Sequence, residues 1–448
     1  MSTEIRQSTT VRILTYVVAA ILVLVPFHAV ITTWLGSNFD HIDLFRIWKE
    51  LLLIPLTFIT LYVAYRDNRL KQWLQSDRLV LIILLYTLLH ITLGLWAYTY
   101  DRINTSALIF ALLINLRFLA FFLICFVVAA RSSWLRVHWQ KLLLWPAAIV
   151  IIFGLLQQFV LPANVLSHVG YGPDTIPAYQ TIDQKPDFVR TQSTLRGPNP
   201  LGAYLLLVIT ALSGLWLVNK QRKLSGLALT IAATAVLFFT YSRSAWLGLI
   251  VSLAFLVYWS VKNPKFRRLA LLTATIAILI LGSLVLALRD NNALQNTLFH
   301  TDETSRSAES SNAVRTQAIS DGARSVIREP FGRGPGTAGS ASFRNSHPPR
   351  ITENYFIQIG QEVGILGLTL FIAINILVAK ALWRQRQQIL AKVLWASLAG
   401  ITLVNLLSHA WPDDTLAYIW WGLAGIALGS AILNKKRKRN ETQAAATS

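Results

Sequence analysis

The sequence predicts an all-α polytopic membrane protein of about twelve transmembrane helices, forming a single membrane domain over residues 1–448. Three observations carry that prediction. First, 54% of the residues are hydrophobic and only 14% are charged. Second, apolar runs of about 18 to 25 residues recur along almost the whole chain, long enough to cross bilayer hydrocarbon as helices. Third, the remaining basic residues are sorted between the connections, with Lys and Arg gathered in alternate ones.

The runs fall at roughly 11–35, 44–65, 79–99, 106–130, 141–161, 199–218, 224–240, 244–261, 268–288, 354–383, 391–409 and 415–433. The first is too long for a signal peptide and lacks its small-residue cleavage site, so it is expected to remain as a span. One set of connections holds Arg66, Arg69, Lys71 and Arg78; Arg131, Arg136 and Lys141; Lys220, Arg222 and Lys223; Lys262, Lys265, Arg267 and Arg268; and Arg384, Arg386 and Lys392. The short connections of the other set carry a single basic residue (Arg46, Arg102 or Arg243), or none in "HAWPDDT". The basic set is expected on the cytoplasmic side, which places both termini inside and requires an even number of spans.

A net charge of +20 first suggests nucleic acid. Its distribution points to membrane orientation instead, because the charges flank the spans and the run 435–439 follows the last one directly. No nucleic-acid partner is expected. The single cysteine, Cys125, lies in an apolar run and allows neither an internal disulfide nor a cysteine metal site.

Two connections are too long to be simple links, and both are expected outside: 162–198, and the large loop 289–352 between the ninth and tenth spans. Within the second, Val314, Ala318, Ile319, Ala323, Val326 and Ile327 recur at helical spacing. Pro330, Gly332, Gly334, Pro335 and Gly336 then end the pattern, predicting a short amphipathic helix followed by a tight turn.

Charged residues expected at the outer edge of the bundle form a short set: Arg190, Arg196, Arg243, Arg315, Arg333, His347 and Glu353. Guanidinium groups match phosphate oxygens in a two-pronged way and never lose their charge, so such a cluster suits a pyrophosphate carried on a lipid. A nearby carboxylate or imidazole can take a proton from a sugar hydroxyl.

Each residue also has a plainer reading. Arg243 alone is read equally well as a side chain snorkelling to the headgroups. Arg196, beside a Gly-Pro-Asn-Pro turn, reads as an ordinary loop residue, and His347 in a Pro-rich loop as a solvated histidine. Glu353 reads as an acid favouring a helix N-terminus. Arg117, deep in the fourth span, is expected to face the interior or an aqueous cavity, with Lys49 and Glu50 partly neutralising charge there. Asp413 and Asp414 read as caps of the last helix.

Taken in order, "RTQSTLRGPNPLGAYLL", "TYSRSAWLGL", "RSVIREPFGRGPG" and "ENYFIQIGQEVGILGL" resemble the O-antigen ligase and polymerase superfamily. Its members combine an Arg-rich, Pro-Asn-containing start of one span with an "sRsa.lgl" hairpin. A large outer loop with a Gly-rich turn and an "hN.yl.ll.e.GllG" helix follow. The resemblance covers about residues 185–370 and before them rests on span count.

The resemblance implies a GT-C-like membrane glycosyltransferase in the bacterial inner membrane. It would take a glycan from undecaprenyl pyrophosphate and need no metal or other cofactor. It implies that Arg243 and one of Arg190 or Arg196 grip the pyrophosphate; the outer cluster of arginines adds Arg315 of the large loop as a further expected ligand. Glu353 stands where ligases commonly carry a histidine just before Asn354, which makes a carboxylate the expected base and His347 the alternative. The implied chemistry is direct inverting transfer to an acceptor hydroxyl on a glycan, lipid or protein; an acceptor that is itself a lipid-linked glycan would make the enzyme a polymerase. The opposing class is a lipid-linked oligosaccharide flippase, which predicts basic residues down a central cavity and an internal repeat.

Overall fold

The computed structural model describes residues 8–182, 185–218, 224–261, 263–266, 268, 272 and 311–446. Its framework is helical: α1 (Thr9–Leu24), α2 (His28–Phe39), α3 (Ile42–Arg46), α4 (Trp48–Tyr65), α5 (Asn68–Ser76), α6 (Arg78–Thr99), α7 (Thr105–Arg131), α8 (Trp134–Phe159), α9 (Pro198–Val218), α10 (Leu224–Phe239), α11 (Arg243–Ser260), α12 (Ser311–Arg328), α13 (Tyr355–Arg384), α14 (Ile389–Leu407) and α15 (Asp414–Ala446). Among the described residues, nine helical stretches are long and apolar enough to cross a bilayer, with α1 and α2 counted as one stretch. The chain is an all-α polytopic membrane protein. The ninth expected span, 268–288, lies outside the described residues apart from 268 and 272.

Local chemistry explains several boundaries. Asp77, Asn104 and Asn354 cap α6, α7 and α13 by accepting from the backbone N–H of Leu79, Ala107 and Ile357. The first expected span is broken by a 3-10 turn at Val25–Phe27 that contains Pro26, because proline has no N–H and its ring crowds the preceding turn. The second is divided at Ile47 into α3 and α4. The fifth begins at Trp134 rather than near 141. A basic connection holds the short amphipathic helix α5, and the connection 162–198 holds a two-stranded antiparallel hairpin, β1 (Gln180–Ile182) and β2 (Lys185–Arg190).

The tightest helix pair is α7 with α15, which run parallel. A Cβ on Gly425 would lie 2.4 Å from the Phe122 carbonyl oxygen, and one on Gly429 would lie 2.0 Å from that of Phe126. Small residues therefore let these backbones touch, as helix packing in membranes favours. Trp411, Trp420 and Trp421 fill the space around them and are fully buried.

The two ends of the bundle differ. At one end, Arg131 pairs with Asp67 at 2.6 Å, Lys71 sits over Tyr65, and Trp259, Trp383 and Trp395 form a ring cluster. Basic and aromatic side chains together mark a membrane–water interface. At the other end lie the β hairpin, the N-termini of α9, α11, α13 and α15, and the described part of the large loop.

Candidate functional site

The hairpin delivers Arg190 to the turn between α10 and α11. The backbone N–H of Thr191 donates to the Phe239 carbonyl at 2.9 Å, and Arg190 Nε donates to the Thr240 carbonyl at 2.9 Å. Arg190 Nη2 donates to Asn199 Oδ1 at 2.7 Å, tying it to the first turn of α9. Arg243 is the first residue of α11, half-buried, just past the same turn. Thus Arg190 and Arg243, far apart in sequence, share one hairpin.

The segment that follows is bedded in polar contacts. Gln157 Oε1 accepts from the backbone N–H groups of Gln192 and Ser193 at 3.3 and 2.8 Å, and Ser193 Oγ donates to the Val150 carbonyl at 2.7 Å. Thr194 Oγ1 donates to the carbonyl of Pro26 at 2.9 Å, using the acceptor beside the helix break. These bonds fix Arg196, whose Nε donates to Asp413 Oδ2 at 2.8 Å. The reading of Arg196 as an ordinary loop residue is therefore replaced by that of a positioned one.

Asp413 also accepts from the backbone N–H of Leu416 at 3.2 Å, so it caps α15 as expected while holding Arg196. Its neighbour Asp414 does more than cap: it contacts Arg117, Lys49 at 3.1 Å and His28 at 3.0 Å. Arg117 donates to Glu50 Oε1 at 2.7 Å and to the Pro412 carbonyl at 2.9 Å, and Lys49 lies 3.2 Å from Glu50. Two cations thus face two carboxylates beneath the Arg196 contact, which offsets the cost of burying charge at this depth.

The second half of the site comes from α13 and the loop before it. Asn354 caps α13 and its Nδ2 donates to the Leu406 carbonyl at 2.9 Å, fastening the start of α13 to the end of α14. Asn405 Oδ1 accepts from the N–H groups of Ala410 and Trp411, both at 3.1 Å, and so shapes the segment leading to Asp413. Glu353, immediately before the cap, is half-buried, whereas His347 is exposed in its loop. Arg315 falls near the start of α12, and its side chain is outside the described residues.

Two further loop cations, Arg333 and Arg350, are engaged within the loop. Arg333 Nε donates to Glu329 Oε1 at 2.7 Å. Arg350 Nη2 donates to Ser325 Oγ at 2.6 Å and lies 3.5 Å from Glu329. Burial first, and then the nearby positive Arg333, lower the Arg350 guanidinium below its ordinary value.

The Gly-rich turn docks into a break in α13, where Val363 and Gly364 leave helical geometry. The N–H of Ile365 donates to the Pro330 carbonyl at 2.8 Å, and that of Gly334 to the Glu362 carbonyl at 2.8 Å. The fully buried Glu362 carboxylate accepts from the Gly336 N–H and from Asn115 Nδ2, both at 2.8 Å. Gly336 has φ +93°, and a Cβ there would lie 2.9 Å from the Ala107 carbonyl oxygen, so only glycine fits without strain.

Sequence reasoning missed Asn199, Glu362 and the partner role of Asp413. Glu362 had a signal, because it is the acid of the "e.GllG" pattern. Asn199 stands in the Pro-Asn motif and Asp413 reads as a helix cap, but nothing local pointed to their arginine partners, since each meets its arginine only through folding.

Four helix N-termini and three arginines therefore lie at one end of the bundle, an arrangement that attracts an anion. The stretch from Asn354 through Leu406 and Asp413 to Arg196 links the Glu353 side to the arginine side by successive contacts. No curated protein sequence matches the chain. Residues 228–372 match the family model described as O-Antigen ligase. That segment contains Arg243, Arg315, His347 and Glu353, whereas Arg190 and Arg196 precede it. That match, over residues 228–372, supports kinship of this part of the chain with the O-antigen ligase and polymerase superfamily and, with it, an enzymatic role.

Proposed function

We propose that this chain is a membrane glycosyltransferase that moves a glycan from undecaprenyl pyrophosphate to an acceptor hydroxyl with inversion. The observation that carries the reading is the joining of Arg190 and Arg243 at one hairpin, with Arg196 held by Asp413 at the same end of the bundle. The acceptor oxygen attacks the anomeric carbon from the face opposite the pyrophosphate. The C–O bond to the pyrophosphate breaks, and its electron pair leaves with the lipid pyrophosphate. Arg190, Arg196, Arg243 and Arg315 stabilise the charge that accumulates there, a task suited to preorganised positive groups in place of a metal. Glu353 takes the proton of the acceptor hydroxyl, and His347 is the alternative base.

The basic end is assigned to the cytoplasm of a bacterial inner membrane, with both termini inside and the site outside. Maleimide labelling of intact cells tests this. Cysteine at Ser346 should react from outside and cysteine at Lys71 should not; the buried Cys125 adds no background.

A second reading makes the acceptor another lipid-linked glycan, so that the enzyme is a polymerase. It is favoured by Glu353, which stands where the ligases commonly carry histidine. Purified protein in liposomes, given lipid-linked glycan with a radiolabelled sugar, separates the readings. Label transferred to a lipid A core supports ligation, and label in lengthening chains on the carrier supports polymerisation. Label moved across the bilayer without bond formation would replace both with the flippase reading.

A further inference from the structure

We propose that the end of α12 and the start of the Gly-rich turn form a membrane anchor, which seats the large loop in the interfacial layer of the adjoining phospholipid leaflet. The most exposed large apolar side chains of this region are Ile327, at 76%, and Phe331, at 83%. They are four residues apart. Arg324 and Arg328 are also exposed and occupy the neighbouring positions. An apolar edge flanked by arginines is the composition of a segment lying at the boundary of headgroups and acyl chains.

The depth follows from the break in α13. Residues 365–384 run unbroken from Ile365 to Arg384, at the basic end. Twenty residues at about 1.5 Å each make about 30 Å, the thickness of the hydrocarbon. Ile365 therefore stands at its opposite edge, and its N–H is bonded to the Pro330 carbonyl at 2.8 Å, which holds Phe331 at that level. Ile365 and Leu366 are themselves 49% and 61% exposed, as lipid-facing residues should be, so the Phe331 patch continues a lipid-facing surface.

A second marker agrees. Gly334 packs against Ala97, and on the adjacent Trp96 the Arg102 guanidinium stacks at 4.3 Å. Tryptophan paired with arginine at a helix end is characteristic of the membrane interface. The occupant is phospholipid: acyl carbon against Phe331 and Ile327, with phosphate near Arg324 and Arg328. The anchor would hold the loop by a second attachment, beside its bonds to α13, and it stands whether or not the chain transfers a glycan.

The test uses the Cys125→Ala protein, which lacks cysteine, reconstituted in nanodiscs of phosphatidylethanolamine and phosphatidylglycerol. A nitroxide is attached at cysteine replacing Phe331, and its power saturation is measured with oxygen and with a water-soluble nickel chelate. Matched labels at Leu366 and His347 supply the lipid and water references. At 331 oxygen should relax the label severalfold more effectively than nickel, as at 366, and with a shallower depth. Nickel access equal to that at 347 would overturn the anchor. Exclusion of both reagents would also overturn it, because it would mean that protein covers the patch. Exposed Phe331 can be replaced without opening the core, and a thermal midpoint equal to that of the parent confirms that each labelled protein is folded.

Discussion

Arg196 is held through its Nε by Asp413 Oδ2 at 2.8 Å, across 217 residues of sequence. Asp413 is 2% exposed, while the Arg196 side chain is 47% exposed. The carboxylate is thus the fixed partner and the guanidinium the presented one. A buried acid orienting an exposed arginine is a means of preorganising a phosphate-binding group.

Asp413→Asn tests that arrangement. Asparagine still caps α15 but lacks the charge that fixes Arg196. Loss of a charge-assisted hydrogen bond, about 1.5–3 kcal/mol, should lower kcat/KM by roughly 10- to 100-fold. The loss should lie mainly in donor KM if Arg196 binds ground state and transition state alike. Unchanged kinetics with the lipid-linked donor would remove Arg196 from the site.

Arg243→Ala should abolish transfer while membrane insertion stays normal. Arg243→Lys should also be poor, because an ammonium cannot reproduce a two-pronged contact. A fully active lysine variant would reduce the residue to a generic charge. A fully active alanine variant would return Arg243 to the role of a snorkelling side chain.

The base is assigned by a matched pair. Glu353→Gln keeps the size of the side chain and removes its negative charge, so turnover should stop while donor binding, measured by equilibrium sedimentation with labelled lipid, persists. His347→Ala, on an exposed loop, should be mild. The reverse pattern would move the base to His347. Activity in both variants would leave the mechanism to the arginines alone.

Arg117→Met breaks the buried cluster and leaves the Glu50 and Asp414 carboxylates short of a cation. Removing one member of a buried ion pair costs about 3–5 kcal/mol. The thermal midpoint in detergent should fall by several degrees. Because Asp414 adjoins Asp413, residual activity should fall with it. An unchanged midpoint would mean that water or rearrangement compensates the carboxylates.

Hydropathy alone made the fold class legible, because a span needs only length and apolar composition, both properties of a local stretch. The helix breaks were less legible. Pro26 announced one, but the break at Val363 and Gly364 sits in an apolar run whose composition is that of a continuous span. It becomes visible only when the Gly-rich turn supplies the Pro330 carbonyl to the N–H of Ile365. The same holds for Arg117: the sequence marked it as costly in a bilayer, and the structure showed that α4 and α15 bring Glu50 and Asp414 to it.

The sequence by itself determined that the chain is a helical membrane protein, that its basic connections alternate, and that arginines and one acid persist at the ends of particular spans. These follow from local periodicity, from charge placement and from the cost of burying ions in hydrocarbon. Only the tertiary structure decided which of those ions meet. Arg190 joins the hairpin of Arg243, Asp413 takes Arg196, and Glu362 closes on Gly336 because helices distant in sequence pack side by side. Partner choice between such groups depends on helix order and register in space, and no stretch of the chain encodes either one locally.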